Sequence, residues 1–302
     1  MPFSHPSTFE TLAIDPVLKT EIQDDLQKFV CGQDFYKRVG RAWKRGYLLH
    51  GPPGTGKTSL IAAIANFLDF DIYDLELTAV SSNSQLKKLL VNIPSKSVII
   101  VEDIDCSLDL SGRKKQAVDK KVKNTKSRSN KVTWNSVSLS GILNFVDGLW
   151  SSSVGERLMI FTTNHKKKLD PALLRAGRMD KHINLSYCDI DSFKMLAKNY
   201  LDIKEHEAIN EAEEVLPLVN ITPAIVAEIF LSCEANNEMG LVNAVKEMKK
   251  RLSLTEEIVV AGMETLLPTV EANKDDDSVA NEKSKIVDED ETIDRDETEE
   301  AD

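Results

Sequence analysis

No run in this 302-residue chain approaches the roughly 18 consecutive apolar residues that span a bilayer. The opening residues, Met1-Pro2-Phe3-Ser4-His5, lack the charged flank and apolar core of a leader peptide. The expectation is a chain without a membrane span or targeting signal of its own. Cysteine is scarce as well. Cys31, Cys106, Cys188 and Cys233 stand far apart with no CxxC pair, which excludes metal-ligand spacing and argues against a disulfide framework. Reduced thiols packed in the core are expected. Residues 113–131 are rich in Lys, Arg, Ser and Asn but contain no aromatic residue. A basic patch that stacks bases needs interleaved aromatic rings, so this stretch reads as a solvated surface loop rather than a nucleic-acid site.

What is present begins with enough apolar residues, 41%, for a substantial core. At this length, one large domain plus a smaller one is expected. The formal charge of −11 is misleading, because residues 271–302 hold 15 acidic and 4 basic residues, the whole of the imbalance. The folded part is close to neutral, so the acidity implies no charged partner for the body.

Short β-branched runs alternate with helical stretches from Phe9 to about Tyr187, which predicts an α/β domain with a mainly parallel sheet. The strand candidates are Tyr47-Leu48-Leu49-His50, Asp71-Ile72-Tyr73-Asp74-Leu75, Val98-Ile99-Ile100-Val101 and Met159-Ile160-Phe161-Thr162. Each is short and apolar, as strands covered on both faces should be. Beyond Tyr187, Phe193-Met195-Leu196-Tyr200, Ile225-Val226-Ile229-Phe230 and Leu241-Val242-Val245-Met248-Leu252 recur at helical spacing. Thr222-Pro223 reads as a helix entry, a capping hydroxyl followed by proline at the first helical position. The predicted layout is an extension over residues 1–8, an α/β domain over 9–187 with the basic insert 113–131, a helical domain over 188–255, and a disordered acidic tail over 256–302.

The chemistry starts at Gly51-Pro52-Pro53-Gly54-Thr55-Gly56-Lys57-Thr58, a phosphate-loop pattern between a strand ending at His50 and an apolar helix beginning near Ser59. Glycines let successive backbone N–H groups face phosphate oxygens, and a helix N-terminus adds a favourable dipole. Lys57 supplies a point charge, and the Thr58 hydroxyl can ligate Mg²⁺. About 45 residues later, an apolar strand ends in Glu102-Asp103. The first acid is expected to hold Mg²⁺ and the second to polarise the attacking water. Asn164 closes another strand with an amide able to reach a γ-phosphate. Arg175 and Arg178 begin about ten residues further on. A planar, permanently charged guanidinium suits phosphate oxygens, and such groups can act across a subunit boundary.

Taken together, Gly51, Lys57, Thr58, Glu102-Asp103, Thr162-Thr163-Asn164-His165 and the run Leu169-Asp170-Pro171-Ala172-Leu173-Leu174-Arg175-Ala176-Gly177-Arg178-Met179-Asp180 resemble the AAA ATPase family. Phe9-Glu10-Thr11-Leu12, Trp43-Lys44-Arg45-Gly46-Tyr47, Asp71-Ile72-Tyr73-Asp74-Leu75 and Phe145-Val146-Asp147-Gly148-Leu149-Trp150 are similar to plant relatives of the mitochondrial Rieske-protein translocase ATPase. The resemblance spans roughly Phe9 to Leu252. It implies a P-loop αβα sandwich, a small all-α lid, and a homo-oligomeric ring with ATP sites at subunit interfaces. It also implies that Arg175 and Arg178 serve a neighbour's site. The Glu-Asp order is that of the subfamily, and an aspartate one methylene shorter than the usual acid implies slow hydrolysis.

Members of that subfamily usually begin with a membrane helix and a family-specific domain, and neither precedes Ser4. A truncated relative, an incomplete gene model or an excised module is therefore expected, cytoplasmic or peripheral to a mitochondrial or endoplasmic-reticulum membrane. Leu77-Thr78-Ala79-Val80-Ser81-Ser82-Asn83-Ser84 lacks the aromatic–aliphatic–glycine triplet of a threading pore, and Thr222-Pro223-Ala224-Ile225 stands where a second-sensor arginine would be. The expected function is Mg²⁺-dependent ATP hydrolysis that remodels or translocates protein partners, without nucleic acid. The alternative is a hydrolysis-deficient nucleotide-binding regulator.

Overall fold

Every strand of the sheet runs in the same direction. The computed structural model describes residues 5–106, 137–147, 155–233 and 237–264, so the basic stretch 113–131 and the acidic tail lie outside the described residues. Among these, β1 (Lys44–His50), β2 (Asp71–Asp74), β3 (Ser97–Val101), β4 (Arg157–Thr163) and β5 (Lys181–Asn184) form one sheet in the order β2-β3-β4-β1-β5. Register puts Lys44 and Ser97 on either side of Arg157, and Tyr47 beside Lys181.

Side chains alternate along the strands and build two cores. Tyr47, Leu49, Val98, Ile100, Leu158 and Ile160 face one way, against Ile22, Leu26 and Phe29 of α1 (Pro16–Val30) and Leu60, Ile61 and Ile64 of α3 (Lys57–Leu68). Leu48, Ile99, Val101, Met159 and Phe161 face the other way, against Leu86 and Leu90 of α4 (Asn83–Asn92) and Ile142, Phe145 and Val146 of α5 (Leu139–Asp147). A parallel sheet covered on both faces reads as continuous apolar runs, which is why β1, β3 and β4 were visible as such; edge strand β2 has no buried residue and was visible through Ile72-Tyr73 and the buried Leu75 that follows it. The fifth, β5, was not anticipated. Only Ile183 of its four residues is buried, so it presents no apolar run, and it sits at the sheet edge.

The N-terminal helix is capped as its residues require: the Asp15 carboxylate accepts from the Val17 and Leu18 N–H groups, and Pro16 fills the first helical position. Short α2 (Gln33–Arg38) follows. Asp25 then ties α1 to β1. Its carboxylate receives Arg45 at 2.6 and 3.2 Å and the Tyr47 hydroxyl, which burial and this carboxylate push far above the usual phenol range.

After Tyr187, helices α6 (Ile190–Leu201), α7 (Glu207–Val215), α8 (Pro223–Leu231) and α9 (Asn237–Glu264) enclose a separate core of Phe193, Leu196, Ile209, Ile221, Val226, Phe230, Leu241, Val245 and Met248. The Asp189 carboxylate caps α6 through the Ser192 N–H at 2.7 Å. Thr222 does stand before Pro223 at the start of α8, but its hydroxyl makes no capping bond. The expected packing of the cysteines holds for Cys188, which is buried; Cys31 and Cys106 are exposed and Cys233 is intermediate. Cys31 and Cys233 instead meet polar groups, the Gln27 amide at 3.5 Å and the Asn243 amide at 3.4 Å.

Asp25→Ala is expected to lower stability by about 1–3 kcal/mol in urea titration, because Tyr47 and Arg45 both lose their acceptor. Asp25→Asn, which still accepts, should lose less. An unchanged midpoint in the alanine variant would remove Asp25 as the anchor between α1 and β1.

Candidate functional site

The loop after β1 is shaped by three glycines. A Cβ on Gly51, whose φ is +146°, would lie 1.8 Å from the Leu185 carbonyl oxygen, so only glycine passes this point. Gly54 and Gly56 adopt φ of +78° and +90°. Thr55 is buried and donates to the Pro52 carbonyl at 2.9 Å. Helix α3 starts at Lys57, two residues ahead of the expected Ser59, so Lys57 and Thr58 stand in its first turn, where free N–H groups favour anions.

Lys57 Nζ donates to the carbonyls of Gly51 and Pro52, both at 2.9 Å, and to Asn164 Oδ1 at 2.8 Å. Asn164 Nδ2 in turn donates to Asp103 Oδ1 at 3.2 Å. Burial lowers the Lys57 ammonium below its ordinary value, while the Asp103 and Asp105 carboxylates oppose that shift. Asp103 is a non-glycine residue at φ +44°, and its N–H donates to Thr162 Oγ1 at 3.0 Å. Such a backbone conformation costs of order 1–3 kcal/mol and persists only where surroundings impose it. Next to it, Thr58 Oγ1 lies 3.2 Å from Glu102 Oε1, with both residues exposed.

These groups open on a cavity of ≈ 860 Å³. Pro53, Gly54, Thr55, Gly56, Lys57, Thr58, Ser59, Glu102, Asp103 and Asn164 line one end of it. Gly51 and Pro52 do not line it; their carbonyls hold the lysine instead. The remaining walls come from a strap, Pro6, Ser7 and Thr11 to Ala13, and from Leu196, Asn199, Tyr200, Ala224, Ala227 and Glu228 of the helical part. Asn66 on α3 donates to the carbonyls of His5 and Ser7 at 2.8 and 2.7 Å, and Asn199 on α6 donates to that of Thr11 at 2.8 Å. The start of α8 meets the loop directly, through a bond from the Ala224 N–H to the Gly54 carbonyl at 3.1 Å.

Sequence reasoning quoted Thr162 and Thr163 within a motif but gave them no role, and it passed over Asp105. Thr163 donates to Asp105 Oδ1 at 2.7 Å, and all three residues are buried. The available signal was two adjacent hydroxyls at the end of an apolar strand, since buried polar groups must find partners.

Arg175 and Arg178 line no part of this cavity. Arg175 is exposed. Arg178 is engaged within the chain, donating to the Ala172 carbonyl at 2.6 Å with its Nε 3.4 Å from Asp147. The turn between the two arginines is fastened to β1 by Asp180, whose carboxylate accepts from Gly46 N–H at 3.0 Å and Gly177 N–H at 2.9 Å. A Cβ on Gly46 would lie 1.8 Å from the Arg178 carbonyl oxygen. On the far side of the loop, His50 Nε2 lies 3.3 Å from Lys166 Nζ. Burial, then Lys166, His182 and Lys57, push the His50 imidazole down to about 4.

A profile described as "ATPase family associated with various cellular activities (AAA)" matches residues 47–187, and one described as "At3g28540-like, AAA+ ATPase lid domain" matches residues 188–258. The chain belongs to the AAA ATPase family. Its AAA match contains the loop, Glu102, Asp103, Asn164 and both arginines; the strap and Gly46 lie ahead of it. The Arabidopsis thaliana AAA-ATPase At3g28510 is 52% identical over 266 residues, covering 83% of this chain and 49% of that protein. Protein HYPER-SENSITIVITY-RELATED 4, from the same plant, is 55% identical over 248 residues, covering 81% of this chain and 42% of that protein. AAA-ATPase At3g28570, mitochondrial, is 52% identical, covering 82% and 54% respectively. The chain thus spans about half the length of the curated relatives it matches. Among the described residues, no helix is long and apolar enough to cross a membrane.

Two outcomes are expected of this AAA core. Gly46→Ala should lower thermal stability by about 1–3 kcal/mol, because backbone rather than a flexible side chain must move; an unchanged melting temperature would mean the arginine turn is loose on β1. His50 is neutral when folded and ordinarily protonates near 6.5 when unfolded. The unfolded state therefore binds the extra proton, and stability is lost as pH falls from about 6.5 to about 4. Melting curves over that window should show a shallower acid slope in His50→Gln than in the parent.

Proposed function

We propose that this chain hydrolyses ATP with Mg²⁺ and does so in an assembly of its own copies. The observation that carries the reading is the continuous chain from Lys57 through Asn164 to Asp103, beside the paired oxygens of Thr58 and Glu102. The loop N–H groups and Lys57 bind the β- and γ-phosphates, and Asn164 stands between the lysine and the acid that orients water. Adenine and ribose take the part of the cavity under the strap, against Leu12, Ala13 and Leu196.

A hydroxyl and a carboxylate oxygen side by side suit a hard cation that takes its remaining ligands from phosphates and water. Bound there by Thr58 and Glu102, Mg²⁺ would neutralise charge developing on the phosphates. Asp103 accepts a hydrogen bond from the attacking water and so polarises it, its carboxylate held by the backbone conformation and the Asn164 bond.

Trans action of the arginines is supported by their position away from their own cavity. Arg175, exposed, is the group offered outward; Arg178 shapes the turn through Ala172 and Asp147 and reaches a neighbour only by exchanging those partners. Work on a protein partner is the proposed output. Leu77 and Val80 are buried beneath the sheet, leaving small residues such as Ala79 and Ser81 outward, which supports remodelling or moving a partner over gripping an unfolded chain. The proposed location is cytoplasmic or peripheral to an organelle membrane, and a relative labelled mitochondrial supports the organelle.

Specific activity should rise with protein concentration. Arg175→Ala should abolish that rise, and an equal mixture of Arg175→Ala with Asp103→Asn should recover more than the average of the two, because each supplies the group that the other lacks. Asp103→Asn should cut turnover at least about 100-fold while leaving ATP binding intact. ATP binding with no Mg²⁺-dependent turnover at any concentration, including in assemblies, would replace this reading with a nucleotide-binding regulator.

A further inference from the structure

Asp105 has no task in the hydrolytic scheme, yet it is only 4% exposed, two residues beyond Asp103. None of the ion pairs among the described residues includes it. A buried carboxylate without a directly paired cation is expensive, and an amide or hydroxyl of similar size would fill the space at lower cost. Its Oδ1 accepts the Thr163 hydroxyl at 2.7 Å, and Thr163 is fully buried. A carboxylate only accepts, so the hydroxyl proton must point toward Asp105. The Thr163 oxygen is then committed as acceptor on its other side, where the His165 N–H donates to it at 3.0 Å.

These two bonds clip the backbone on both sides of Asn164. The amide between them is oriented by chemistry: its oxygen meets the Lys57 ammonium at 2.8 Å and its nitrogen meets the Asp103 carboxylate at 3.2 Å. Thr162 adds a parallel tie, accepting from the Asp103 N–H at 3.0 Å. The acid segment and the Asn164 turn are thereby joined by two adjacent hydroxyls, one at each level. A charge-assisted bond is shorter and stronger than a neutral one, which gives the carboxylate its advantage over an amide at this place.

We propose that Asp105 is a positioning residue for ATP hydrolysis, acting through Thr163 to hold the turn that carries Asn164 between Lys57 and Asp103. This rests on the proposed ATPase reading. Misplacement of a catalytic group by about 1 Å can cost roughly 100-fold in rate without loss of binding. Asp105→Ala and Thr163→Val should each lower kcat by about 10- to 100-fold while the Kd for a fluorescent ATP analogue changes less than about 3-fold. The double variant should be no slower than the worse single one, because both cut the same link. Thr163→Ser, which keeps the hydroxyl, should retain near-parent turnover.

Amide hydrogen exchange measured by mass spectrometry supplies a readout that needs no turnover. In Asp105→Ala and Thr163→Val, exchange should rise at least about 10-fold in peptides covering 162–166, with α3 and β1 unchanged. Retained protection there, or parent-like kcat in a folded Asp105→Ala, overturns the proposal. So does a loss of ATP affinity and melting temperature that matches the loss of kcat, which would mark Asp105 as structural only. A parent protein that binds but never hydrolyses ATP defeats the ATPase reading by itself. In that case the exchange data still decide whether Asp105 holds the turn.

Discussion

A single ammonium organises the site. Lys57 has three protons to place and finds three oxygens, two on the loop that precedes it and one on the end of β4. Because it stands in the first turn of α3, its satisfaction joins the loop after β1, the helix after that loop, and a strand contributed about a hundred residues later. The parallel sheet makes this possible. With every strand pointing the same way, the ends of β1, β3 and β4 lie side by side, and Lys57, Asp103 and Asn164 converge there beside the buried Thr162, Thr163 and Asp105. The burial that lowers the ammonium also sharpens its attraction to the nearby carboxylates, so the network is electrostatically tight before phosphate enters it.

The same strand that delivers the loop also holds the arginine turn. Gly46 and Asp180 exchange bonds between β1 and the chain ahead of β5, and the missing side chain at Gly46 lets the turn lie against the strand. One rigid element therefore carries both the phosphate loop and the turn that holds the two arginines. Asp25, from the other side, keeps α1 pressed on that strand through Tyr47 and Arg45.

Motif residues were readable because phosphate chemistry demands particular residue types at particular spacings, and β1, β3 and β4 were readable because their buried runs are continuously apolar. Readability failed where a residue's meaning depends on a distant partner. Strand β5 has one buried residue and announces itself only by pairing with β1. Thr222 carries the composition of a cap, yet the N–H it might have served is taken by Gly54. Arg178 has the type and spacing of a group given away, while Asp147 and the Ala172 carbonyl hold it at home. Thr163 and Asp105 lie 58 positions apart, and no local pattern pairs a hydroxyl with a carboxylate across that distance.

The bond from Ala224 to Gly54 gives the helical part a direct hold on the phosphate loop. Equilibrium coupling works equally in both directions. A phosphate that shifts the loop must alter the energy of tilting α8, and a torque on the helical part must alter phosphate affinity by the same factor. Under the proposed ATPase reading, the contact would act as a transmission, converting a nucleotide's charge into leverage on the lid and a load on the lid into an altered grip on nucleotide.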